Sequence, residues 1–523
     1  MANKLVRSLF VTGGMTLVSR LTGFVRDILL ARLLGTTALA DAFFVAFRIP
    51  SFLRRIFGEG AFSQAFVPVF ASYVHQEAGG PDTESARDFA DHMAGTFALV
   101  LFVVTVVGVL AAPVIILVLA PGFLAEPAKY HMAVILLRIT FPYLFFISLV
   151  AMAAGMLNTR GRFAAAAFTP VLLNVSLIVA AGVIAPHTAQ PAVTVAWGVF
   201  IGGFLQLIFQ IPFLRKHKLL PRLKISFHHP GVKRVFQLMV PGIFGSSIAQ
   251  INLVVDTVLA SFLVTGSISW LYFANRLLEF PLGIFGVALG TVILPHLSAK
   301  HAQSSTVEFG QTLDWALRWV IVIAVPAAAA LIVLSAPIII TLYRYGAFNA
   351  LDAAMTQRAL IAFAVGLPAF VLIKVLAPGY YARQDTRTPV KIGTIALVSN
   401  MALNGILIWP LAHAGLALAT SLSGGLNAWL LYRGLRKNRV YRPYPGWRRL
   451  WVQVGCASAA MVLVLVHAGT ETAGFLKASG VHRALVLGGW IVVGLAVYGT
   501  VMWLMGVRPQ ALRLKSIGGD TGS

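Results

Sequence analysis

Apolar stretches of about twenty residues recur along the whole chain, separated by short polar or Pro/Gly-rich breaks, and that is the length a helix needs to cross ~30 Å of hydrocarbon. Fourteen such windows fall near 9–34, 38–74, 92–120, 131–157, 163–186, 193–214, 235–263, 267–298, 312–335, 356–382, 389–411, 414–435, 450–468 and 484–506. Ala98 to Ala120 and Val320 to Ile340 are the clearest; the first two windows and the eighth are the least apolar, because they carry interior charges. The pattern predicts an all-α integral membrane protein with about 14 transmembrane helices. The start, Met1 to Phe10 with Lys4 and Arg7, has the basic character of a signal peptide, but Arg20 and Arg26 interrupt the apolar run that follows. It is expected to be a retained first helix.

The connections test that count, since short cytoplasmic loops collect Lys and Arg whereas exported loops do not. Arg160 and Arg162, the Arg215 to Arg234 loop, Arg383 to Lys391, the Arg433 to Arg449 loop and the tail with Arg508, Arg513 and Lys515 all fall on one side. The opposite connections, near Gly35, His187, Gly266 and His413, carry none. Both termini are therefore expected in the cytoplasm. Composition agrees: 58% of the 523 residues are hydrophobic and 11% charged, which excludes a soluble enzyme. The excess of 41 Lys+Arg over 17 Asp+Glu, a formal charge of +24, reflects basic cytoplasmic loops rather than nucleic-acid binding. One cysteine, Cys456, excludes an internal disulfide. No connection is long enough for a nucleotide-binding domain and no phosphate-loop motif is present. Twelve histidines, His228-His229 among them, show no metal-ligand spacing, so neither metal nor cofactor is expected.

The two halves repeat. Ala61-Phe62-Ser63-Gln64-Ala65-Phe66-Val67-Pro68 lies over Ala288-Leu289-Gly290-Thr291-Val292-Ile293-Leu294-Pro295 at an offset of 227; at 226, Pro142 lies over Pro368 and Asn174 over Asn400. A repeat of six helices returns the chain to the same side, so it is a parallel repeat about the membrane normal. The expected organisation is an N-lobe over 1–215 (helices one to six), a C-lobe over 216–440 (helices seven to twelve) with a cleft between them, and two extra helices with a tail over 441–523.

Charges inside the membrane carry the chemistry, because a central Arg or Asp costs ~2.5–3.5 kcal/mol and faces a cavity or a partner. In helix one, Arg20 shares a face with Asp27, as Ser19 does with Arg26. Helix two holds Asp41 and Arg48, then Pro50, Arg54-Arg55 and Glu59; helix eight holds Asn275-Arg276-Leu277-Leu278-Glu279. Arg20, Arg26, Arg54 and Arg276 outnumber their acids, which predicts a basic chamber for an anion. Guanidinium forks match phosphate oxygens, so a diphosphate head group is favoured. Arg55 and Lys374 are expected to add to it, while Asp256 and Asp385 are candidates to bind a coupling cation or proton. Tyr441, Tyr444 and Trp447, interleaved with arginines, are expected to anchor a loop against anionic membrane lipid. No D-D-x-x-D, H-E-x-x-H or G-x-S-x-G motif supports catalysis.

These residues resemble the MurJ (MviN) family of lipid II flippases, in the multidrug/oligosaccharidyl-lipid/polysaccharide exporter superfamily, over nearly the whole chain. The likeness rests on Ser19 to Asp27, on Asp41 to Arg48 leading through Arg54-Arg55-Ile56-Phe57 to Gly60 to Pro68, on Arg276 to Pro281, and on Lys374 to Gly379 with Asp385 to Pro389. It implies a fourteen-helix inner-membrane transporter, not an enzyme, that moves lipid II, the undecaprenyl-diphosphate-linked peptidoglycan precursor, to the periplasmic leaflet by alternating access. It also implies a role in cell-wall biogenesis and cell shape, with cell-wall synthesis machinery as partners. The family's cavity arginines map onto Arg20, Arg26, Arg54 and Arg276, with Asp41 and Glu59 as matching acids; family members often carry an acid where this chain has Asn275. A groove between helices thirteen and fourteen for the polyprenyl tail is implied as well. The alternatives are an exporter of another polyprenyl-diphosphate glycan, an exporter of organic cations, which would want a net acidic cavity, or a membrane enzyme acting on polyprenyl diphosphate.

Overall fold

A computed structural model describes residues 2–54, 61–77, 83–283, 287–302, 305–470, 475 and 478–507. Among the described residues the regular structure is entirely helical. In the first half the helices are α1 (Ala2–Leu34), α2 (Ala38–Arg54), α3 (Ala61–Glu77), α4 (Thr83–Leu110), α5 (Ala112–Leu119), α6 (Pro127–Thr140), α7 (Tyr143–Thr159), α8 (Phe163–Val179) and α9 (Pro191–Lys216). Then come α10 (Pro230–Ser261), α11 (Ser267–Pro281), α12 (Val287–Ala302), α13 (Thr306–Val333), α14 (Ser335–Tyr343), α15 (Ala350–Val365), α16 (Leu367–Tyr381), α17 (Arg387–Leu411), α18 (His413–Lys437), α19 (Trp447–Thr470) and α20 (Gly480–Leu504).

Each of the fourteen windows falls on one helix or on two in tandem, and ten helical stretches among the described residues are long and apolar enough to span a bilayer. The windows outside those ten are the first, second, seventh and eighth, each of which includes residues whose side chains lie outside the described set. Several breaks have a local cause. Pro142 precedes α7 and its repeat mate Pro368 stands in the first turn of α16; a proline there forgoes only an N–H that a helix start leaves without a helical partner. The matched prolines thus split corresponding spans in the same way.

The chain divides into two units, Met1–Ser269 with Tyr345–Phe348, and Trp270–Arg344 with Asn349–Ser523. The first unit runs past the residue-215 boundary drawn from the repeat, because α10 packs into it: Val232, Val235 and Met239 join Phe62, Phe66, Phe70, Phe89, Phe97, Met152 and Met156 in one buried cluster. Phe62 stacks on Phe97 at 4.2 Å and on Phe66 at 5.2 Å. Between helices in hydrocarbon such stacks contribute packing rather than water release. The basic connection 217–229 is strapped along α4: the Arg222 and Ser226 amides donate to Asp91 Oδ1 (2.7 Å) and Thr96 Oγ1 (2.9 Å), and the Lys224 amide to the Asp91 carbonyl (3.2 Å). Gly95 permits that approach, since a Cβ there would lie 2.3 Å from the Lys224 carbonyl oxygen.

In the second unit, α19 and α20 pack on α13 through Ile321, Val322, Leu450, Val454, Ala457 and Met502. Here the structure corrects the expected lipid anchor. Tyr441 is buried and its hydroxyl donates to Asp314 Oδ1 at 2.6 Å, the Trp447 indole N–H donates to the same oxygen at 2.8 Å, and the Tyr444 amide at 3.3 Å. Arg318 bonds the other oxygen of Asp314 at 2.6 Å and lies over the Trp447 ring. Burial and the adjacent Asp314 carboxylate push the Tyr441 hydroxyl pKa far up. The aromatics serve an internal acid on α13 because their polar tips need a partner once the rings are covered.

Candidate functional site

Among the described residues, two networks gather buried charges of the first unit. On α1, Arg26 is buried and grips one oxygen of the neighbouring, fully buried Asp27 through Nε (2.9 Å) and Nη2 (2.7 Å). Its Nη1 donates to Asn174 Oδ1 on α8 at 3.0 Å, and Asn174 Nδ2 donates to the Ser19 carbonyl (2.9 Å) and Thr22 Oγ1 (3.3 Å). An asparagine has the donors and acceptor to bridge a guanidinium and a helix backbone at once. Arg20 lies about two turns earlier on α1, exposed.

The second network surrounds Asp41, in the first turn of α2. Its carboxylate accepts from the Gly266 amide (2.8 Å, Oδ2) and, through Oδ1, from the Ser269 amide (3.0 Å) and hydroxyl (2.6 Å), at the start of α11. Lys129 Nζ lies 3.2 Å from Asp41 Oδ2, itself buried, and bonds Thr265 Oγ1 at 3.0 Å. Asp41 caps a helix N-terminus, where a negative charge suits the unpaired amides. Arg48, seven residues on, is about 10 Å along the helix axis and takes other partners, Thr257 Oγ1 and the Leu253 carbonyl (3.4 Å). Arg54 is half-buried at the end of α2, and Asp256 is half-buried on α10. Arg55 and Glu59 lie outside the described residues.

In the second unit Arg276 Nη1 bonds Glu279 Oε2 at 2.9 Å, and Asn275 Nδ2 donates to the other carboxylate oxygen at 3.3 Å. The acid three residues later takes the place of one immediately before the arginine. The pair is partly exposed, 31% and 41%. Lys374 is exposed on α16.

Asp385, a candidate for coupling, stands before α17, where its Oδ1 accepts from the Thr388 amide at 3.0 Å. That bond holds its carboxyl below the ordinary carboxylate pKa. Because the folded value is the lower one, its contribution is present above the unfolded value of 3.8 and is lost as pH falls through and below it. Asp385→Ala is expected to cost about 1 kcal/mol at neutral pH and progressively less as the pH falls below 3.8, as checked by thermal midpoints at pH 7 and through an acid series.

Sequence reasoning missed Lys129 and Ser269. Lys129 stands at the edge of an expected loop, where a lysine carries no signal, and Ser269 is one hydroxyl among many.

The chain matches the family model described as Lipid II flippase MurJ over residues 30–482. It is 45% identical to the probable lipid II flippase MurJ of Vibrio cholerae over 98% of both chains. It is 42% identical to the lipid II flippase MurJ of Burkholderia cenocepacia over 98% of this chain and 99% of the other. Among solved structures, a lipid II flippase MurJ in an inward closed conformation superposes with a TM-score of 0.79 at 28% identity, over 95% of this chain and 98% of that one.

Proposed function

The chain belongs to the MurJ family of lipid II flippases, and from that premise we propose that it moves lipid II between the two leaflets of the membrane it spans. The observation that carries the proposal is identity to a probable lipid II flippase of 45% over 98% of each chain. The physical task is to pass a diphosphate with its sugars through hydrocarbon that its polyprenyl tail never leaves. Fixed guanidinium groups meet the diphosphate charge without proton exchange. Arg20, Arg26, Arg54 and Arg276 are the proposed ligands of the diphosphate, with Arg55 and Lys374 adding positive charge and Glu59 and Asp41 setting its arrangement. Asp27 on Arg26 and Glu279 on Arg276 would hold those side chains in place between cargoes.

Direction follows from charge. The loops rich in Lys and Arg support an orientation with both termini in the cytoplasm, the proposed membrane is the bacterial inner membrane, and an inside-negative potential would then favour outward movement of the anion by ~2.3 kcal/mol per charge per 100 mV. The site would open to one leaflet and then the other, with no bond in the cargo made or broken. Asp256 is the proposed place for a coupling cation or proton, and proteins of cell-wall synthesis are the proposed partners.

Purified protein in liposomes should expose lipid II to a probe added outside. Arg54→Ala and Arg276→Ala are each expected to slow that exposure about 10–100-fold, the value of one or two charge-assisted hydrogen bonds. Exposure no faster than in empty liposomes with the unaltered protein would overturn the flippase reading; unchanged rates in both variants would remove the clamp from it.

A further inference from the structure

We propose that Asp88, His92 and His229 form a binding site for one divalent transition metal ion of the zinc class, beside the basic connection of the first unit. Among the described residues these three offer one ligand atom each with all three atoms within 4.8 Å of one another. Asp88 and His92 are one turn apart on a single face of α4. His229 arrives 137 residues later as the residue capping α10.

The spacing suits a metal. Asp88 Oδ2 lies 3.2 Å from His92 Nδ1 and 3.7 Å from His229 Nε2. In a tetrahedral zinc site with bonds of ~2.0–2.1 Å, ligand atoms sit ~3.4 Å apart, between those two values. Two imidazoles and one carboxylate are a three-ligand set that leaves the fourth position to water. The two rings face each other, with centroids 5.2 Å apart.

The surroundings are preorganised. Asp88 divides its carboxylate: Oδ1 takes Lys224 Nζ at 3.0 Å, and Oδ2 faces the histidines. The ammonium thus orients the acid as a one-oxygen ligand from outside the site, and Asp91 Oδ2, 3.6 Å away, shares that cation's charge. The amide bonds that strap 222–226 onto α4 fix the backbone carrying Lys224 and leading to His229. Binding requires each ring to carry its proton on the nitrogen turned away from the metal. That gives up two bonds, the one His229 Nδ1 accepts from the Gly231 amide at 3.1 Å and the one His92 Nδ1 donates to the Asp88 carbonyl at 2.9 Å. Protons compete for the same nitrogens, so binding weakens as pH falls through the histidine range. The sequence conceals the site because the third ligand lies in a distant loop.

The test uses full-length, tag-free protein in detergent, stripped with chelator and titrated with zinc, with metal counted by mass spectrometry and cobalt(II) absorption read in parallel. One zinc per chain is expected, with a rise in thermal midpoint that saturates at one equivalent. His92→Ala and Asp88→Asn should abolish both, whereas His228→Ala, at an exposed neighbour, should leave them unchanged. If His92→Ala does not fold, His92→Gln serves in its place. Absence of saturable binding, or the same stoichiometry in the unaltered protein and in a folded His92 variant, would overturn the site.

Discussion

Arg26→Ala is expected to cost the fold about 3–5 kcal/mol, read as a large drop in thermal midpoint, and to stop lipid II transfer. Its guanidinium is the partner of a carboxylate with no solvent exposure: Asp27 accepts two of its N–H groups on one oxygen, at 2.9 and 2.7 Å. Removing the cation strands the anion where hydration cannot replace it, and Asn174 Oδ1 loses its donor as well. The second of these bonds, to Asn174, ties α1 to α8. A single variant therefore cannot separate a residue that holds helices from one that holds cargo. The pair Arg26→Met with Asp27→Leu can, since it removes both charges and keeps most of the volume. The midpoint should recover by most of the lost amount while transfer stays absent. Transfer at the unaltered rate in the paired variant would assign Arg26 wholly to structure and take it out of the diphosphate site.

The same residues show what a sequence can disclose. Helix positions were legible because hydrocarbon demands a long apolar run for each crossing, and the matched prolines at 142 and 368 were legible because their backbone consequence is local. Asn174 and Asn400 could be paired by offset, yet their partners could not be named. Asn174 serves Arg26, whereas Asn400 Nδ2 donates to Ser423 Oγ at 3.3 Å and its Oδ1 accepts from Asn404 at 3.0 Å. The charges on helices one, two and eight were visible as an expense in lipid, but a group meeting that expense stands up to 228 residues away in the Asp41 network, and Trp447 stands 133 residues from Asp314. Spacing rules reach one helix turn or one heptad. Asp41 reads as a cargo acid by sequence, while its bonds to Gly266 and Ser269 add a helix cap that no spacing disclosed, and Tyr441 resembled a lipid anchor until Asp314 was in view.

Asp41→Asn should break the start of α11 away from α2, an effect of the same size as the loss of Arg26. The carboxylate satisfies three donors from residues 266 and 269 and faces a buried ammonium, so all four depend on its charge. An amide of the same shape supplies one acceptor oxygen and turns an N–H toward groups that are themselves donors. Lys129 is then left with Glu126, 3.7 Å away and half exposed, and with Thr265. A cost of about 3–5 kcal/mol follows for the global midpoint. Hydrogen exchange gives the sharper reading, because only the amides that Asp41 accepts lose their partner directly. Exchange at Gly266 and Ser269 should quicken about 10–100-fold beyond any change at amides in the Phe62–Phe97 stack. If those two amides keep their protection relative to the core, the carboxylate does not hold the loop, and the role of Asp41 returns to the cargo. If they lose it, then Asp41→Leu with Lys129→Met should restore the midpoint but not the protection. Charge pairing accounts for the first and the helix cap for the second, so the two measurements divide what one side chain does.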